Sequence, residues 1–200
     1  SPLSLETFTP AFNPPVISGS TLVCSSANYT VGNAQGLQIG WASSNTAIAT
    51  INSSGLLTRV GIESGAVTVS ATLPCPLPVA PKAIWVGKPV LTSVTYDGIP
   101  TPINCSSGLY QSFTPGDHVL TSTALGTTSN PAFILNSYGS PYVHGGANGN
   151  NYNFNVNSKH YNDFEFTISS SFSNGCGSIS TCTYFTNWAT LTSPFPNPSA

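Results

Sequence analysis

Ile48-Ala49-Thr50-Ile51-Asn52-Ser53-Ser54-Gly55-Leu56-Leu57-Thr58-Arg59, followed by Gly65-Ala66-Val67-Thr68-Val69-Ser70-Ala71, decides the fold class. Apolar and polar residues alternate with a period of two, the pattern of strands with one face in a core and one in water. The breaks fall at Asn52-Ser53-Ser54-Gly55 and Glu63-Ser64-Gly65, which are turn residues. Working outward, strand-like runs precede this stretch at Ser20–Cys24 and at Leu37–Trp41, where Trp41 is expected in a core. Others follow it at 90–95, 111–113, 118–124, 132–135, 152–156, 164–170 and 184–191. So many short runs separated by turns predict β-sandwiches.

Composition supports an all-β chain. Of 200 residues, 40 % are hydrophobic, enough for packed cores, yet only 5 % are charged, against about 25 % in an ordinary soluble domain. Glu, Lys and Arg are scarce and Met is absent, which removes several good helix formers. Disorder is a poor reading, because disordered chains combine low hydrophobicity with high net charge. Arg59, Lys82, Lys88 and Lys159 are the only cations and the net charge is −2, so no basic patch exists to neutralise nucleic-acid phosphates. No apolar run approaches the roughly 18 residues of a membrane span.

Two domains of about 100 residues fit this length. Residues 1–16 carry four prolines and read as an extended arm or linker. Pro74-Cys75-Pro76-Leu77-Pro78-Val79-Ala80-Pro81 is the expected boundary, giving a first sandwich over 17–80 and a second over 81–192. Five cysteines stand at 24, 75, 105, 176 and 182, and none has C-x-x-C spacing. Disulfides are therefore expected, Cys24 with Cys75 and Cys176 with Cys182, worth about 4 and about 2 kcal/mol in the chain-entropy model. Cys105 is left over, either buried or paired with another chain.

Trp41-Ala-Ser-Ser-Asn45, then Ala49-Thr50-Ile51, Gly55-Leu56 and Gly65-Ala-Val-Thr-Val69, resembles the group 2 bacterial immunoglobulin-like domain over about 35 residues. The cysteine pair resembles that of Ig-like repeats in Bacteroidetes surface proteins. Lys82-Ala-Ile-Trp-Val-Gly-Lys-Pro89 resembles the opening of a second class of such repeats, and Ser193-Pro-Phe-Pro-Asn-Pro-Ser-Ala200 the start of a type IX secretion sorting domain. The resemblance implies two tandem Ig-like β-sandwiches with a proline-rich arm, on a secreted bacterial surface protein. It implies no catalytic residue and no cofactor.

The residues give little support to chemistry. Asp163 and Glu165 share a face if they lie on a strand, as paired glycosidase carboxylates would, but solvent-side acids have the same spacing. His118 follows a Pro-Gly-Asp turn, and His144 and His160 lack the spacing of a zinc site, so no metal is expected. Asp97 and Asp117 lack the neighbouring acids that calcium needs. The stretch from Tyr138 to Tyr152 reads as a Gly-loosened loop; alternatively Tyr138, Tyr142, Asn148, Asn150 and Tyr152 offer stacking faces and amides to a sugar.

The expected function is a non-enzymatic, extracellular structural or adhesive module that contacts copies of itself, neighbouring repeats or surface glycans. A carbohydrate-binding accessory module of a secreted enzyme is the alternative. In an assembly, Leu3, Leu5, Phe8 and Phe12 of the arm would fill pockets on a neighbour; otherwise the arm is only a tether.

Overall fold

The computed structural model describes residues 13–34, 36–74, 77–101, 111–137, 142–157 and 165–186. All the regular structure among them is β, and the chain divides between Gly87 and Lys88 into two compact units.

The first unit holds β1 (Val16–Ser18), β2 (Leu22–Val23), β3 (Ser26–Asn28), β4 (Thr30–Gly32), β5 (Gly40–Ser43), β6 (Ala49–Ile51), β7 (Leu56–Arg59), β8 (Gly65–Thr72) and β9 (Lys82–Val86). They form a sheet β2-β9-β8-β5, a sheet β3-β7-β6 and a ribbon β1-β4. Alternation places Val67, Val69 and Ala71 of β8 and Ile84 and Val86 of β9 in one core with Val23, Ala49, Leu57, Ile17 and Val31. Tyr29 is the largest side chain fully buried there, and its hydroxyl donates to the Ser20 carbonyl at 2.7 Å. Trp41 is only partly buried, packing on the core from its rim rather than filling its centre.

Two boundaries differ from expectation. Lys82–Val86 pairs antiparallel with β8 and parallel with β2, so it completes the first sandwich instead of opening the second. The proline-rich 74–81 stretch is thus a connection between two strands of one sheet, and the division falls after residue 87 rather than at 80. Likewise Val16 is already in β1 and Pro15 is buried, so the segment expected as an arm over 1–16 includes residues of the first unit.

The second unit holds β10 (Val90–Tyr96), β11 (Ile99–Pro100), β12 (Gln111–Ser112), β13 (Gly116–Leu125), β14 (Ala132–Asn136), β15 (Val143–Asn148), β16 (Asn151–Val156), β17 (Glu165–Asn174) and β18 (Gly177–Thr186). Sheet β11-β10-β13-β16-β15 faces sheet β12-β18-β17-β14. Between them Phe166 and Phe185 stack with centroids 4.7 Å apart, and Phe154 meets both edge-on at 5.6 and 5.5 Å. Toward the β17–β18 turn the interior becomes polar. Ser170 donates to Ser122 at 2.9 Å, while the buried hydroxyls of Thr181 and Thr183 have no hydrogen-bond partner.

Cys24, Cys176 and Cys182 are each disulfide-bonded. The clip expected between Cys176 and Cys182 does not form. Cys176 lies in the two-residue turn after Asn174, while Cys182 sits within β18 opposite Ser169. Six extended residues put their Cα atoms about 20 Å apart at about 3.3 Å per residue. A disulfide needs about 7 Å or less. Cys75 and Cys105 lie outside the described residues, as do Leu3, Leu5, Phe8 and Phe12.

Charge is distributed unusually over these sheets. Among the described strands it is carried by Arg59 on β7, Lys82 on β9, Asp117 on β13 and Glu165 on β17, each an interior strand. The edge strands β2, β5, β3, β6, β11, β15, β12 and β14 contain no Lys, Arg, Asp or Glu.

Candidate functional site

The outer face of β13, β16 and β15 carries polar side chains from all three strands. Register brings them into rows across the three strands. Asp117, Asn155 and His144 form one row; Val119, Asn153 and Gly146 the next; Thr121, Asn151 and Asn148 the third. The alternate residues Leu120, Tyr152, Phe154, Val143 and Val156 turn inward and anchor the sheet in the core. Asn155 donates its amide to Asp117 Oδ1 at 2.8 Å, and Thr121 donates to Asn151 Oδ1 at 2.8 Å. A hollow of about 420 Å³ opens between the first two rows, lined by Asp117, Val119, His144, Asn153 and Asn155.

Beneath this face His118 is buried and fully engaged. Its Nε2 lies 2.8 Å from the Thr114 carbonyl oxygen, and its Nδ1 lies 2.7 Å from Asp97 Oδ2 and 2.8 Å from the Tyr96 hydroxyl. A carbonyl only accepts, so Nε2 carries a proton and is committed to the backbone. That commitment removes it from the role of a general base. Asp97 also accepts from the Val119 amide at 2.8 Å, tying the β10–β11 turn to β13. Asp97 and Gly98 both have positive φ, 48° and 82°, as a two-residue Asp-Gly hairpin requires.

The residues singled out for a sugar are dispersed by this geometry. Residues 143–148 form an edge strand rather than a loop, because their backbone pairs along β16. Tyr152 is buried against Phe133 and Phe154 and is withdrawn from any ligand. Asn150 lies in the turn, its carbonyl accepting from the Ser122 amide. Asn148 and Tyr142 remain near the outer face, while Tyr138 lies outside the described residues. Glu165 is half-buried on β17 opposite Thr186, and Asp163 and His160 lie outside the described residues.

A second, larger hollow of about 700 Å³ lies in the first unit. The partly buried indole of Trp41, Leu37, Ile39, Leu73 and the polar Gln38 and Ser54 line it. No group of three or more His, Cys, Asp or Glu side chains among the described residues is arranged to hold a metal.

No family model matches the sequence, and no curated protein matches it. Among solved structures, the chain is similar to domains 4 and 5 of the S-layer protein SbsC at 13 % identity and a TM-score of 0.33, over 86 % of this chain and 98 % of that one. It is similar to the eight N-terminal Ig domains of Down Syndrome Cell Adhesion Molecule at 11 % identity and a TM-score of 0.37, over 88 % of this chain and 28 % of that one. Extracellular cadherin domains 3–6 of Protocadherin Gamma B2 are similar at 13 % identity and a TM-score of 0.30, over 86 % of this chain and 46 % of that one.

Proposed function

We propose that this chain is a non-enzymatic, extracellular structural or adhesive module of a bacterial surface or fibre-forming protein, and that it works by lasting contact between β edges. The observation that carries this reading is the placement of charge. Sheet edges expose unpaired backbone donors and acceptors, and proteins that stay apart guard them with Lys, Pro or inward charges. Among the described strands the charges are confined to interior ones, and the two longest edge strands, β14 and β15 of the second unit, are uncharged. Ile134 in the middle of β14 is 65 % exposed. Such an edge suits strand addition, in which main-chain bonds give affinity and alternate side chains give register.

The disulfide-bonded cysteines favour an oxidising, extracellular compartment. Export by the type IX route is the reading of the Ser193–Ala200 tail. The strand donor is the 1–12 segment of a neighbouring copy, with Leu3, Leu5, Phe8 and Phe12 as its side-chain anchors. Negative-stain microscopy of material from the native surface tests the function directly. Stalks or filaments that carry the chain are expected; dispersed single particles at high concentration would contradict it.

A further inference from the structure

The geometry points to a binding trough for a neutral oligosaccharide across the outer face of β13, β16 and β15, a face that reaches the β15 edge but is centred on the interior strand β16. Its floor is the middle row, Val119, Asn153 and Gly146. Gly146 extends this floor beyond the hollow lined by Asp117, Val119, His144, Asn153 and Asn155: a Cβ built there meets nothing within 4 Å, so the absence of a side chain is not imposed by packing. Its neighbour Gly145 is different, since a Cβ there would meet Tyr152, Phe154 and the Asn153 backbone within 2.8 Å. One glycine of the pair is therefore needed by the fold, whereas the other opens space on the outer face.

The walls are the flanking rows. Successive rows lie two residues apart along the strands, about 7 Å. Asp117, Asn155 and His144 stand on one side, and Thr121, Asn151 and Asn148 on the other. The bonds within each wall fix which atoms are left for a ligand. Asn155 gives its amide to Asp117 Oδ1, leaving its own Oδ1 and Asp117 Oδ2 as acceptors. The Asn153 side chain makes no hydrogen bond among the described residues and offers both a donor and an acceptor at the floor. A sugar hydroxyl donates and accepts at once, so it matches a carboxamide, which offers both a donor and an acceptor. Val119 supplies a small apolar contact for a C–H face, and continuing the register carries Tyr142 onto this same face beyond His144.

Charge sets the ligand class. The three strands carry Asp117 and no Lys or Arg, so a sulfated or carboxylated glycan meets repulsion with no compensating cation. The trough is selective for uncharged sugars.

The test is a printed array of neutral and acidic oligosaccharides probed with the full chain, followed by calorimetric titration of the strongest neutral binder. Gly146→Leu fills the floor without touching the core, and its binding is expected to fall at least tenfold while its melting curve stays that of the parent. Asn153→Ala, on an exposed side chain, is expected to weaken binding severalfold. The proposal is overturned if no neutral glycan binds, if acidic glycans bind preferentially, or if Gly146→Leu binds as well as the parent. Sedimentation of the Asn153→Ala protein separates this site from edge assembly, because Asn153 lies on the interior strand β16 and its substitution leaves the edges unchanged.

Discussion

Gly55 shows how much of the first sandwich hangs on single residues. It has φ of 83°, and a Cβ there would lie 2.3 Å from the Tyr29 carbonyl oxygen and 3.2 Å from the Trp41 ring. Its own carbonyl accepts from the Tyr29 amide at 2.8 Å, and Asn52 Oδ1 accepts from the Ser54 and Leu56 amides at 3.0 Å to shape the turn. Gly55→Ala adds left-handed strain to a backbone clash, so urea denaturation is predicted to show a loss of about 2–3 kcal/mol. Gly61 has φ of 63° with open space around it, so Gly61→Ala bears only the conformational cost, about 1–2 kcal/mol.

Tyr29 also makes stability depend on pH. Burial holds the phenols of Tyr29 and Tyr152 above their ordinary value of 10.0. In the unfolded chain both lose their protons near pH 10, before the folded chain does. Stability is therefore fully present below pH 10 and is lost as pH rises beyond it. Thermal melts are predicted to fall as pH rises beyond 10, and Tyr29→Phe is predicted to flatten part of that fall. An equal fall in the variant would assign the alkaline loss to other groups.

At the scale of strands, the polar end of the second core offers a substitution that stabilises. Thr183 points inward opposite Ile168 with its hydroxyl buried and unpaired. Thr183→Val keeps the β-branched shape and removes that desolvated group, and is predicted to gain about 1 kcal/mol in chemical denaturation. The β17–β18 ladder makes a second prediction. Peptide mapping without reduction is expected to yield no Cys176–Cys182 linkage, with each sulfur joined to another cysteine; recovery of that linked peptide would require the ladder to be broken between Gly177 and Cys182.

These elements also explain what was legible in advance. Strong alternation in 66–71, 118–124 and 152–156 marks β8, β13 and β16, because each has one face in a core. β15 read as a loop because Gly145, Gly146 and Asn148 carry little strand propensity, and it is held by pairing with β16 rather than by its own residues. β9 was assigned to the wrong unit because prolines 74–81 look like a linker, and nothing local distinguishes a linker from a connection within one sheet. The rows of the trough were invisible for a related reason. Asp117 meets Asn155 through a pairing of strands nearly forty positions apart, which no short window encodes.

For the whole molecule the governing fact is where charge is missing. Among the described strands of the two sandwiches, the few charges stand on interior strands and the edge strands carry none. Lasting contact between copies follows if those edges are the contact surface, and a single gatekeeper then dissolves it. Ile134→Lys puts a cation on an exposed edge position without entering the core. Sedimentation velocity over a wide concentration range, run on the parent chain and on Ile134→Lys, measures this most directly. The parent is predicted to shift to faster-sedimenting species as concentration rises, and the lysine variant to remain a monomer throughout. A parent chain that sediments as a monomer at every concentration would contradict assembly through the uncharged edges.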